Sequence, residues 1–182
     1  MNKVDLSRYQ NALSTKNQLL RLIWNIVWAL LARPLPRSIG NNWKLFLLRI
    51  FGAKVHSTAV VYSSAKVFMP WNLAMDEYSC LASGVDCYNV GLIKIGKHST
   101  VSQKAFLCSA SHDITKFNHP LLICPIIIED QVWIGADAFI GPGITIREGA
   151  VVGARACVFK DVSAWSVVGG NPAVFIKNRI LN

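Results

Sequence analysis

Aliphatic residues recur at every sixth position along most of this chain, and few folds accommodate that period. The series runs Val55, Val61, Val67, then Met75, Leu81, Cys87, then Ile95, Val101, Leu107. It resumes at Ile128 and continues through Ile134, Ile140, Ile146, Val152 and Val158. The position four residues further on is small or β-branched: Ala59, Ala65, Ser79, Val85, Ser99, Ala105, Ser111, Val132, Ala138, Ile144, Ala150, Ala156 and Val162. Glycine follows the aliphatic residue at 96, 135, 141 and 153. A six-residue repeat of this kind predicts a parallel β-helix, in which each hexad is a short strand plus a corner and three hexads close one coil. The aliphatic side chain points into the prism, and only a small residue fits beside it. A β-sandwich would show strands at about 8–12-residue spacing with period-two alternation, which this series does not follow. Frame slips between 67 and 75, 87 and 95, and 107 and 128 are insertions at corners. About five coils fit residues 55–163, and at ~4.8 Å per coil they give a prism ~24 Å tall.

The repeat does not reach the N-terminus. Two apolar stretches with helical spacing occupy residues 15–32 and 41–51. Ser14 or Thr15 can cap the first, and Pro34 and Pro36 end it. In the second, Trp43, Phe46, Leu47 and Ile50 share one face, with Lys44 and Arg49 off it, and Gly52 suits the C-terminal cap. The expected organisation is therefore a helical extension over 1–54, a β-helix over 55–168 with a loop insertion at 112–127, and a closing segment over 169–182.

Charge divides at the same boundary. The whole chain of 182 residues carries a formal net charge of +9. Residues 1–54 hold nine Lys/Arg and one acid (9 − 1 = +8), and residues 55–182 hold ten Lys/Arg and nine acids (10 − 9 = +1). A nucleic-acid module would spread positive charge over a binding face, so no nucleic-acid partner is expected. The basic leader either caps the prism or makes a peripheral membrane contact through residues 19–37, where Arg21, Arg33 and Arg37 flank Leu19–Ala32. Leu19–Ala32 is shorter than the roughly 20 residues a spanning helix needs. No signal peptide is evident, and the odd set of cysteines at 80, 87, 108, 124 and 157 contains no CxxC pair. Isolated cysteines in an apolar chain read as small core residues in a reducing, cytoplasmic compartment.

The stretch Ile128-Glu-Asp-Gln-Val-Trp133-Ile134-Gly135, continuing through Ile146-Arg-Glu-Gly149 to Val168-Gly169-Gly170-Asn171-Pro172-Ala173, resembles the hexapeptide-repeat acyltransferases. Within them it resembles the sugar O-acetyltransferases near the maltose and galactoside acetyltransferases. The apolar helical leader, Cys87-Tyr88-Asn89 and Ser111-His112-Asp113 add a similarity to colanic-acid-type exopolysaccharide acetyltransferases. The resemblance implies a left-handed β-helix, a homotrimer with active sites in the clefts between prisms, and acetyl-CoA as donor. The implied function is transfer of an acetyl group from acetyl-CoA to a sugar hydroxyl of an exopolysaccharide precursor.

His112 is the candidate general base, because an imidazole can take a hydroxyl proton near neutral pH. By the resemblance it matches the catalytic histidine. Asp113 could hold the other ring nitrogen, as the acid of a triad does, or be a solvated loop acid; the maltose and galactoside enzymes have proline there. Asn89 matches the asparagine that contacts the acceptor and steadies the tetrahedral intermediate, against the plainer reading of a turn residue. Tyr88 could pack on a sugar face or be structural.

By the resemblance Trp133, with Gly135 beside it, takes the place of an aromatic near the pantetheine arm, or else is a surface aromatic of the trimer contact, and Gly170-Asn171-Pro172 resembles the closing loop by the CoA nucleotide. Arg155, Lys160, Lys177 and Arg179 are cations on late coils that could meet CoA phosphates or simply be solvated. His56, His98 and His119 lack the spacing of a converging zinc triad, so no metal is expected. Without a GxSxG motif, an acyl-serine intermediate has no support and direct transfer is implied. Two other readings share these residues: an N-acetyltransferase acting on an amino sugar or antibiotic, and a non-catalytic β-helix scaffold.

Overall fold

The computed structural model describes residues 4–181, leaving aside the side chains of residues 37–39. The repeat folds as a parallel β-helix with three sheet faces. The first face stacks Lys54–Val55, Leu73–Met75, Ile93–Ile95, Ile126–Ile128 and Thr145–Ile146. The second stacks Val60–Val61, Cys80–Leu81, Thr100–Val101, Trp133–Ile134, Val151–Val152 and Ser166–Gly169. The third stacks Lys66–Val67, Asp86–Tyr88, Phe106–Cys108, Phe139–Ile140 and Cys157–Val158.

Strand register turns the sequence period into three columns of buried side chains. Val55, Met75, Ile95, Ile128 and Ile146 lie over one another on the first face. Val61, Leu81, Val101, Ile134, Val152 and Val168 do so on the second. Val67, Cys87, Leu107, Ile140 and Val158 do so on the third. All sixteen are buried. Ser111, placed in the small-residue frame by spacing, departs from it: it is exposed in a strand outside the prism. The reason is that the coil ends at Cys108, and the chain then leaves as a hairpin pairing Ala110–His112 with Leu121–Ile123 antiparallel.

The three frame slips fall at one corner, where the third face hands over to the first. The first insertion holds a short 3-10 turn, Pro70–Asn72, the second is Asn89 to Leu92, and the third is the hairpin. Their apolar residues form a satellite core of Met69, Val90 and Ala110, with Leu13, Phe68, Trp71, Tyr88 and Leu121 packed on it. The closing segment pairs too: Val174–Asn178 runs antiparallel to Ser166–Gly169 and extends the second face.

The first coil has no coil before it, so its strand edges would leave backbone groups unpaired. The helices α1 (Thr15–Val27) and α2 (Arg37–Ile50), joined through a π-helical turn at Trp28–Ala32, supply partners. Trp24 Nε1 donates to the Val67 carbonyl at 2.7 Å, and Asn41 Nδ2 donates to the Ala59 carbonyl at 2.8 Å. Asn41 Oδ1 accepts from the Val61 amide at 3.2 Å, and Arg49 Nε donates to the Val55 carbonyl at 3.0 Å. The caps at the helix ends are Ser14, whose hydroxyl accepts from the Asn17 amide, and Gly52 at φ +89°.

The second helix is turned differently from its sequence pattern. Its buried face is Lys44, Leu45, Leu47 and Leu48, whereas Trp43, Phe46 and Ile50 face outward. Lys44 is drawn inside because its ammonium reaches the Ser63 hydroxyl at 3.4 Å. Arg37, counted among the cations of the leader, has its side chain outside the described residues.

Candidate active site

His112 ends the outgoing strand of the hairpin and is exposed. Its Nδ1 lies 2.7 Å from the carbonyl oxygen of His119, on the turn that leads into the returning strand. A carbonyl oxygen only accepts, so Nδ1 carries the proton and the neutral ring has its lone pair on Nε2. That is the tautomer a general base requires.

Asp113 is therefore not the group that orients the ring. Its Oδ1 accepts from the Thr115 amide at 2.9 Å and from the Thr115 hydroxyl at 2.6 Å. Those two bonds, the hydroxyl first, hold the carboxyl below its ordinary pKa. Asp113 shapes the turn because its short side chain reaches its own backbone two residues on.

Asn89 is also corrected. It is fully buried, its Oδ1 accepts from the Met69 amide at 2.9 Å, and its Nδ2 donates to the Met69 carbonyl at 2.6 Å. The side-chain amide imitates a strand neighbour for Met69 where the corner insertions interrupt the ladder. It has no exposed edge with which to touch an acceptor.

Tyr88, one residue earlier, is half-buried with its ring 4.7 Å from Phe68 and 6.4 Å from Phe106. Burial raises its hydroxyl pKa, the neighbouring Cys108 adds to this, Arg21 opposes it and Tyr9 adds a little more. Arg21 lies over the Phe68 ring at 4.3 Å. The same corner thus carries Tyr88, Tyr9 and Arg21 beside the hairpin.

Tyr9 carries no signal in the sequence. The segment before α1 crosses the insertion: the Asp5 amide donates to the Phe117 carbonyl at 2.8 Å, and Arg8 sits over the Phe117 ring at 5.9 Å. This brings the Tyr9 ring to 5.9 Å from the His112 ring. No local pattern reveals a contact between residues so far apart in the chain.

The candidates on later coils do not gather around His112. Trp133 is exposed on the second face, and its Nε1 donates to the Ser102 hydroxyl at 2.8 Å. Gly135 has a packing reason: a Cβ there would lie 2.6 Å from the Ala154 amide nitrogen and 2.8 Å from the Val152 carbonyl oxygen. Arg155 occupies a corner at φ +58° and its Nε lies 3.9 Å from the Asp137 carboxylate. Gly170 (φ +94°), Asn171 and Pro172 form a loop bonded back to Cys157 at both ends, through the Gly170 carbonyl and the Ala173 amide. Lys160 borders a cleft with Ser163, Phe175 and Asn178, and Lys177 is exposed on the last strand. Arg179 is committed elsewhere, donating to the Gln131 and Gly149 carbonyls at 2.8 and 3.0 Å.

Elsewhere, His56 bonds Thr58 at 2.9 Å and His98 stacks on Tyr78 at 5.0 Å. Among the described residues no three His, Cys, Asp or Glu side chains converge as a metal site requires.

Comparison with known proteins gives this corner a context. The family model "Hexapeptide repeat of succinyl-transferase" matches residues 125–156. The chain is 44% identical over 139 residues to WcaF of Escherichia coli (strain K12), by name a colanic acid biosynthesis acetyltransferase, covering 76% of each chain. Among solved structures, a maltose O-acetyltransferase from Clostridium difficile 630 superposes with a TM-score of 0.80 at 25% identity, over 92% of this chain and 90% of that one. The hexapeptide-repeat acetyltransferase VCA0836 of Vibrio cholerae, solved with acetyl-CoA, shares the fold at a TM-score of 0.77 and 23% identity, over 93% and 92% of the two chains. Sequence identity of that extent with WcaF, carried on the same period-six scaffold, means that the chain belongs to the hexapeptide-repeat acetyltransferase family.

Proposed function

We propose that the protein transfers the acetyl group of acetyl-CoA directly to a hydroxyl of a sugar, on a precursor of a colanic-acid-like exopolysaccharide. The observation that carries this reading is the His112 ring, exposed at the insertion corner with Nδ1 committed to a backbone carbonyl. Nε2 of His112 takes the proton of the acceptor hydroxyl as that oxygen attacks the thioester carbonyl. The tetrahedral intermediate collapses with cleavage of the C–S bond, and the CoA thiolate leaves with the proton returned from His112. No covalent acyl-enzyme forms.

Tyr9 and Tyr88 provide aromatic walls for the acceptor. With Asn89 sealed inside, the amide donors for the developing oxyanion come from other groups. We assign the donor to a cleft along the later coils, between neighbouring copies of a homotrimer, with Trp133, Lys160, Lys177 and the Gly170–Pro172 loop facing it. The resemblance to trimeric family members and the exposure of those side chains support this. The enzyme works in the cytoplasm, where acetyl-CoA is available.

The test is CoA release by purified protein supplied with acetyl-CoA and a panel of hydroxyl-only and amino sugars. Turnover on a hydroxyl-only sugar that falls about 10²–10⁴-fold in His112→Ala is the expected result. Turnover restricted to amino sugars would replace the reading with N-acetylation. Unchanged turnover in His112→Ala would remove His112 as the base.

A further inference from the structure

The leader helix α1, taken with the π-helical turn Trp28–Ala32 that continues it, is apolar on two opposite sides. Its inner stripe, Asn17, Arg21, Trp24, Trp28 and Ala32, packs on the prism and Phe68. Leu19, Leu22, Ile23, Ile26 and Leu30 also follow helical spacing, half a turn away from that stripe. They are exposed, with Leu22 at 56%, Ile26 at 51% and Leu30 at 68%. A helix on the surface of a soluble protein normally turns polar residues to that side.

The second helix extends the same surface. Trp43 donates through Nε1 to the Leu31 carbonyl at 2.9 Å and stacks on Phe46 at 5.4 Å. Trp43, Phe46 and Ile50 are all exposed. The outward turn of α2 therefore continues the apolar face of α1 across the joint between the helices. A contiguous exposed apolar surface of this kind marks an interaction site.

Charge selects the partner. Between Asp5 and Asp76 the chain has no acidic residue, while Lys16 and Arg33 stand exposed at the two ends of the α1 stripe. Asp5 itself lies 3.4 Å from Arg8. A leader-to-leader contact between two copies would set one basic segment against another, where like charges repel, and the nearly neutral body at +1 offers these cations little attraction. An anionic lipid surface neutralises the cations and buries the aliphatic and aromatic side chains together. No helix among the described residues is long and apolar enough to cross a membrane, so the face would lie along the surface.

We infer that the outward faces of α1 and α2 form one docking surface for an anionic bilayer, with Leu22, Ile26, Leu30, Trp43 and Ile50 entering the interface. Docking there leaves the insertion corner with His112 free to work, so lipid binding and acetyl transfer are separable.

The test is flotation of the full-length protein with phosphatidylglycerol vesicles and with phosphatidylcholine vesicles. The wild type is expected to float with the first and far less with the second. Leu22→Gln/Ile26→Gln/Leu30→Gln should lower the apparent affinity for phosphatidylglycerol vesicles at least about tenfold. Lys16→Gln/Arg33→Gln should lower it by about fivefold per charge, an effect that added salt mimics. Circular dichroism and turnover on a soluble acceptor are expected to be unchanged in both variants, which separates lost docking from lost folding. A wild type that ignores phosphatidylglycerol, or a triple variant that floats as well as the wild type, overturns the inference. So does a triple variant whose only change is a smaller oligomer by light scattering, which would make the face a contact between copies.

Discussion

The His112 ring donates through Nδ1 to the carbonyl oxygen of His119 at 2.7 Å, so the tautomer of the candidate base is set by a backbone group of the returning hairpin arm. That carbonyl is aimed by a residue at φ +43°, in the left-handed region. Glycine enters this region freely and β-branched residues resist it. His119→Gly should therefore keep kcat within about threefold of wild type, because only the backbone of residue 119 is used. His119→Val should lower kcat by roughly tenfold or more, with KM for acetyl-CoA little changed, because the carbonyl turns away and the ring loses its orientation. Steady-state CoA release checks both, and a large loss in His119→Gly would assign chemistry to the His119 ring itself.

Asp113 gives a second, sharper contrast. A triad acid removed from its histidine costs about 10⁴ in kcat. Here the carboxylate holds Thr115 instead, and Asp113→Asn keeps an oxygen that can accept the same two bonds. Asp113→Asn should therefore stay within about threefold of wild-type kcat, since no imidazolium depends on its charge. The pH dependence has a definite sign. The folded-state pKa of Asp113 is depressed by Thr115, so the turn is held above the ordinary carboxylate range and loosens as pH falls through the lowered value. The protection factor of the Thr115 amide, its exchange measured by NMR relative to the intrinsic rate at each pH, should fall on acidification in the wild type and be flat over that range in Asp113→Asn.

Asn89 separates a structural asparagine from a catalytic one. Its amide bonds both the Met69 N–H and C=O, 2.9 and 2.6 Å away, in a fully buried corner. Asn89→Ala leaves the Met69 N–H without its partner, while the Met69 carbonyl keeps the Asn72 amide at 2.9 Å, and a buried unsatisfied group costs about 1–3 kcal/mol. Urea unfolding should show a loss of about 1–3 kcal/mol on that account. An oxyanion donor would behave otherwise, with kcat falling about 10²–10³-fold at little cost in stability. The pair of measurements decides between the two.

The prism was legible because its determinants are local and repeat. An aliphatic residue every sixth position and a small residue four further on are read directly as Ile134 and Ala138, or Val152 and Ala156, both pairs buried. The slips at 67–75, 87–95 and 107–128 marked corners, but not that all three share one corner, since that depends on how coils stack. His112 was legible as chemistry and position. Its partner was not, because the His119 carbonyl arrives through antiparallel pairing of Ser111 with Leu122 and His112 with Leu121, which no periodicity announces. The face assignment of α2 was misleading for the same reason. Trp43, Phe46 and Ile50 look like a core stripe until Asn41 and Lys44 are needed at the open edge of the first coil. Tyr9 and Asn89 fall outside local reading altogether, one placed by the path of the N-terminal segment and the other by a gap in a ladder.

Gly135 tests whether a residue of the resemblance motif serves the donor or the stacking of coils. The backbones of two successive coils approach so closely there that a Cβ at 135 would meet the Gly153 carbonyl carbon at 2.8 Å and the Ala154 nitrogen at 2.6 Å. These are backbone atoms in a ladder where Gly135 N donates to the Val152 carbonyl at 2.7 Å, so they cannot swing aside as a side-chain end would. Gly135→Ala must push the coils apart, and overpacking of this kind costs about 1–3 kcal/mol or more. Because a solenoid's stability is a sum of neighbouring interfaces, the loss should be confined to the coils on either side. Hydrogen exchange should accordingly rise at Trp133–Ile134 and Val151–Val152 and stay near wild type at Val60–Val61. KM for acetyl-CoA should change by no more than about threefold if the glycine is there for packing alone. A KM that rises tenfold or more, with stability intact, would instead place the backbone of Gly135 against the donor.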